Sequence, residues 1–92
     1  MIKTFINKDL STLFETGNSR AIPLNLHKGL IRQLDFLHRA ETALDMILLG
    51  HRLYESKGER RGIYIVMVND NWRLTSTFTD GNAFDVDLED YN

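Results

Sequence analysis

Ninety-two residues, 42% hydrophobic and 26% charged, suffice for one domain with one core, and the net charge is −2. That balance speaks against a protein that coats nucleic acid, and the absence of cysteine excludes disulfides and thiolate metal sites. The longest apolar run, Ile63–Val68, falls far short of the ~20 residues a membrane-spanning helix needs. The opening residues lack a secretory apolar segment. The expectation is a single domain over 1–92 in a cytoplasmic protein.

In chain order, Lys3–Ile6 is a candidate opening strand. Asn7 is placed to cap a helix on which Leu10, Leu13 and Phe14 share a face, and Gly17-Asn18 ends it. Pro23 suits the first turn of a second helix. Its apolar stripe is Leu26, Leu30, Leu34 and Leu37, with Ile31 alongside. Gly29 inside that stripe costs about 1 kcal/mol against alanine. Ala40–Leu49 predicts a short helical turn leading to Gly50.

The second half reads as strands. Arg52–Glu55 is short. Ile63–Val68 is apolar on both faces, as a strand covered on both sides would be. Asn69-Asp70-Asn71 forms a tight turn of residues that tolerate positive φ. In Trp72–Thr79, Trp72, Leu74 and Phe78 point one way, and Arg73, Thr75, Thr77 and Thr79 the other. Asp80-Gly81-Asn82 makes the next turn. Phe84, Val86 and Leu88 then alternate with Asp85 and Asp87. The expectation is an α+β fold: two N-terminal helices packed on one face of a four- to five-stranded antiparallel sheet, the other face partly open and carrying Arg73.

Charge is unevenly distributed. Lys57, Arg60 and Arg61 share one short loop, whereas Asp80, Asp85, Asp87, Glu89 and Asp90 lie in the last thirteen residues without a base. Clustered cations beside an acidic, aromatic tail point to a local phosphate-binding site.

The strings KGERRG, VNDNWRLTSTF, the Gly-Asn-Ala-Phe-Asp-Val strand and the terminal EDYN together resemble the HigB branch of the RelE/ParE toxin superfamily. MIKTFINKDLSTLFETG and LIRQLDFLHRAE are similar to that branch too, so the resemblance covers essentially the whole chain. It implies a RelE-like fold and a ribosome-dependent mRNA endonuclease. It also implies a HigA-like helix-turn-helix antitoxin as partner, in a complex that represses its own operon and meets operator DNA only through the antitoxin. Two positions depart from the pattern: the family usually ends in histidine where Asn92 stands, and many relatives carry histidine in place of Tyr54.

The chemistry implied is attack of a ribose 2′-OH on the adjacent phosphate. It requires a base, an acid, and positive charge on the transition state. Arg60 and Arg73 suit bidentate phosphate contacts, because the guanidinium fork matches two oxygens. Lys57 adds a point charge or transfers a proton. For proton transfer Asp90 is the best base, carboxylates being ionised at neutral pH, whereas phenols such as Tyr91 and Tyr54 ionise only near ~10. Tyr54 suits stacking on a splayed base, and the Asn92 amide suits a base edge or phosphate, with Arg61 beside them. The candidate catalytic residues are thus Lys57, Arg60, Arg73, Asp90 and Tyr91, and the substrate-binding residues are Tyr54, Arg61 and Asn92.

Plainer roles stand beside these. The Lys57–Arg61 loop reads equally as a solvated charge run, and Arg73 as a strand residue facing Asp85 or Asp87. Asp90 and Tyr91 can serve as a terminal tie-down, Tyr54 as a sheet-packing aromatic, and Trp72 as core. His27, His38 and His51 are scattered and read as surface residues, so neither a metal nor a cofactor is implied. Two other functions remain open: a catalytically weakened toxin-fold module acting mainly with its antitoxin in operon repression, and a ParE-like gyrase poison, against which the NWR and EDYN segments speak.

Overall fold

The computed structural model describes residues 1–48, 53–55, 58 and 62–90. Helix α1, Lys8–Thr16, begins where Asn7 Oδ1 accepts from the N–H groups of Asp9 (2.9 Å) and Leu10 (3.1 Å). That satisfies two of the donors a helix start leaves open. The helix stops at Gly17, whose φ of 80° carries no Cβ penalty and whose N–H reaches the Leu13 carbonyl at 2.8 Å. Helix α2, Leu24–Arg39, follows Pro23, whose φ of −50° already suits a helix entry. Its stripe of Leu26, Leu30, Leu34 and Leu37 is buried as the spacing predicts. The short α3, Ala43–Leu48, is closed at its start by Asp45 Oδ2, which accepts from the backbone N–H groups of Glu41 and Thr42.

Four strands follow: β1 (Leu53–Glu55), β2 (Tyr64–Met67), β3 (Trp72–Thr79) and β4 (Asn82–Asp90). They form one antiparallel meander in the order β1-β2-β3-β4. The β3–β4 hairpin turns through Asp80 (φ 51°) and Gly81 (φ 79°), the pair of positive φ values that suits a two-residue hairpin. The β2–β3 turn does not use positive φ. Instead Asn69 Oδ1 accepts from the N–H groups of Asn71 (2.8 Å) and Trp72 (2.9 Å), so the asparagine side chain itself closes the turn.

The chain start is not a strand. Ile2 and Phe5 make two isolated parallel bridges, to Ala83 and Val86 of β4. The reason lies in β4. Between the Thr75–Asp87 and Thr77–Phe84 pairs, β3 advances two residues and β4 three, so β4 carries a bulge. Asp85 sits in it with φ 55°. Its N–H bonds Thr4 Oγ1 at 2.7 Å, and the Thr4 hydroxyl reaches Asp85 Oδ1 at 3.3 Å. The bulge also overturns the expected Phe84-Val86-Leu88 face. Val86 is fully buried in the core and Leu88 packs against it, whereas Phe84 falls outside that core, on the face of Thr77 and Asp87.

The core lies between the helices and one sheet face: Leu10, Leu13, Leu30, Leu34 and Leu37 meet Val66, Leu74 and Val86. Trp72 and Phe78 pack against it partly exposed. β2 is not helix-covered on both sides. Val66 belongs to this core, while the buried Ile65 lies outside it, on the opposite face. Gln33 ties α2 to the sheet through Nε2 to the Met67 carbonyl at 3.0 Å. No helix among the described residues is long and apolar enough to cross a membrane.

Candidate active site

Residues directly opposite each other in an antiparallel ladder put their side chains on one face. The row Val66–Leu74–Leu88 therefore marks the helix-packed side, through its core members Val66 and Leu74. The rows on either side of it point the other way. One is Met67–Arg73–Glu89; the other is Tyr54–Ile65–Thr75–Asp87. Arg73 and Tyr54 thus share the open face, as the alternation in WRLTSTFT predicts for the arginine.

Arg73 does not face Asp85 or Asp87. Its Nε donates to Glu89 Oε1 at 3.1 Å, and the two side chains are 23% and 26% exposed. A half-shielded pair of this kind holds a guanidinium more firmly than a surface pair, because less water competes for it. Tyr54 is 51% exposed at the β1 edge of its row, available for stacking. Asp90 is placed differently. It stands opposite Trp72, so strand alternation sends its side chain toward the helix-packed side, away from Arg73 and Glu89. Lys57, Arg60, Arg61, Tyr91 and Asn92 lie outside the described residues. Of the eight candidates, the described structure brings together Arg73 and Tyr54 on one face and sets Asp90 on the other.

Sequence reasoning passed over three residues of this face. A hollow of about 120 Å³ is lined by Thr75, Thr77, Asp85, Asp87 and Glu89, the last of which is the partner of Arg73. Ile6 and Ile63 supply its apolar edges. Alternation pointed to Thr75 and Asp87 as open-face residues, but β-propensity alone explained the threonines and solvation the acids. Glu89 as the partner of Arg73 required the register of the bulged strand.

His27 and His38 are structural rather than superficial. His27 is 9% exposed, and its Nε2–H donates to the Ile22 carbonyl at 2.8 Å. His38 is partly buried, and its Nδ1 accepts from the Ile2 N–H at 3.1 Å. Each ring nitrogen named is thus committed to the backbone. His51 lies outside the described residues. Among the described residues no group of three or more His, Cys, Asp or Glu is arranged to hold a metal ion.

The family model of the RelE-like toxin of the type II toxin-antitoxin system HigB matches residues 3–91. The chain belongs to the HigB-like toxin family. It is also 35% identical, over 95 residues and the full length of both chains, to Endoribonuclease HigB of Proteus vulgaris. Helices preceding a four-stranded antiparallel sheet agree with the RelE-like fold of this family. The sheet face without helices carries Arg73 in this chain.

Proposed function

We propose that this HigB-like toxin, a single domain over 1–92, is an endoribonuclease that cuts mRNA on the ribosome through 2′-OH attack. One observation carries the reading: a chain 35% identical over its whole length to an endoribonuclease holds a partly shielded guanidinium, Arg73, on its open sheet face. Arg73 then binds the scissile phosphate and stabilises the charge that develops on it. Preorganised charge of this kind is often the largest single catalytic contribution. Lys57, Arg60 and Arg61, which lie between β1 and β2 in sequence, add cations. Tyr54 stacks on a base, and Asp90, Tyr91 and Asn92 contribute proton transfer and hydrogen bonding from the chain end. This division of labour needs no cofactor. The ribosome supplies the ordering of the transcript that a small acidic protein cannot.

Membership of a type II toxin family supports an antitoxin partner. We assign it as a HigA-like helix-turn-helix protein, the complex acting at operator DNA through the antitoxin. The second reading, a weakened toxin-fold module serving mainly in repression, is favoured by the register that turns Asp90 away from Arg73.

Induction of the chain alone and with its genomic neighbour separates the two. Growth arrest with new 5′ ends inside translated codons, relieved by the neighbour and lost in Arg73→Ala, is the outcome expected of the ribosome-dependent RNase. Normal growth and intact transcripts from well-folded protein would leave the repression module.

A further inference from the structure

We infer that Gln33 is a positioning residue for Arg73, acting through the backbone of Met67. The inference rests on the phosphate-binding role of Arg73 proposed above.

Gln33 lies on the buried side of α2 and is 9% exposed. Its Nε2 donates to the Met67 carbonyl at 3.0 Å. Its Oε1 is buried and has no hydrogen-bond partner among the described residues. Turning the amide over would set Oε1 against the Met67 carbonyl, acceptor against acceptor, so that one bond fixes the orientation. A buried acceptor left open destabilises, and it offsets what the Nε2 bond contributes. An apolar side chain of the same length would carry no such penalty. Stability alone therefore does not account for Gln33. Departures of this kind from a satisfied core gather where function requires them.

The bond holds the end of β2. The Val68 N–H donates to the Trp72 carbonyl at 2.9 Å, so Val68 turns its backbone groups toward β3. By ladder alternation Met67 turns its own away from β3. Its carbonyl points to the β1 side, past the last described β1–β2 pair, Leu53–Val66. Among the described residues, Gln33 supplies the donor there. Met67 is also the direct cross-strand partner of Arg73. The two form the non-hydrogen-bonded kind of pair, in which Cα atoms approach to about 4.5 Å. A shift of Met67 therefore passes to Arg73. Gln33 braces this pair from the helix layer, while Glu89 holds the guanidinium from the β4 side. Misplacing a group that contacts the reacting phosphate by about 1 Å can lower a rate about a hundredfold.

The test uses Gln33→Met, close in length and volume and without either polar atom. Cleavage of mRNA is measured on programmed ribosomes. The expected result is a kcat about tenfold lower, with KM within about twofold and the urea midpoint close to the parent's. In an Arg73→Ala background the same substitution should change cleavage by less than about twofold, because it acts through the missing guanidinium. Equal losses in the two backgrounds, or a kcat within about twofold of the parent's, overturn the proposal. Should Gln33→Met not fold, Gln33→Leu takes its place. Unfolding of both makes Gln33 a structural residue and overturns the proposal too. A second readout does not depend on cleavage: the Arg73 Nε–H resonance, whose proton is held by Glu89. Its exchange with water should quicken about tenfold in Gln33→Met. Unchanged exchange overturns the proposal. A folded parent that cuts no mRNA removes the RNase reading, and the resonance then still decides whether Gln33 positions Arg73.

Discussion

Arg73 and Glu89 face each other across the β3–β4 ladder, Nε to Oε1 at 3.1 Å, on the side of the sheet that carries no helix. The proposed function makes Arg73 the phosphate-binding residue. Arg73→Ala should lower mRNA cleavage about a hundredfold or more, the scale seen when one preorganised donor to a charged transition state is removed. Arg73→Lys keeps charge but not the planar fork and should recover only part of it. Urea unfolding of Arg73→Ala should show a loss of only about 1 kcal/mol, since the pair is partly solvated. A loss of fold together with activity would point to a structural role instead.

Gly29 offers a stabilising change. It lies in the exposed interior of α2, and an added Cβ meets nothing within 4 Å. Gly29→Ala should raise stability by about 0.5–1 kcal/mol through reduced freedom of the unfolded chain. In a domain of this size that corresponds to a rise of several degrees in Tm, read by calorimetry.

At the β4 bulge, Asp85 occupies φ 55° and is held by Thr4. Asp85→Asn should stay within about 0.5 kcal/mol of the parent, because asparagine tolerates the left-handed region and can keep the contact. Asp85→Val combines a β-branched side chain at positive φ with a lost hydrogen bond, and should cost about 2 kcal/mol or more in chemical denaturation. Equal stability of the two variants would show that the bulge is not strained at this residue.

His27 is buried with its Nε2 on the Ile22 carbonyl. His27→Ala removes a donor and opens space beside Leu26 and Leu30, so a loss of about 1–3 kcal/mol is expected. The pattern of mRNA cut sites should not change, because the ring is buried in the protein rather than exposed on the open face. A changed pattern at unchanged stability would give this histidine a part in substrate recognition.

Leu34 is fully buried where α2 meets the sheet. Leu34→Ala should cost about 2–5 kcal/mol, a large share of the stability of a small domain, and the unfolding midpoint in urea measures it.

Local signals were enough to read α1, α2, β3 and both strand turns from the sequence. The Asn7 cap, the Gly17 stop, the leucine stripe and Asp80-Gly81 each act within a few residues, and period decides which face is apolar. The same alternation put Arg73 and Thr75 opposite Leu74. What escaped that reading was set by partners distant in sequence. The bulge at Asp85 moves Phe84 out of the core because Thr4, some eighty residues earlier, completes the left-handed residue. His27 and His38 are drawn inward by carbonyl and N–H groups at Ile22 and Ile2 that no helical period reveals. Glu89 becomes the partner of Arg73, and Asp90 that of Trp72, only once the register of a bulged strand is set. One extra residue reverses which side chains share a face, and only the tertiary pairing says where it lies.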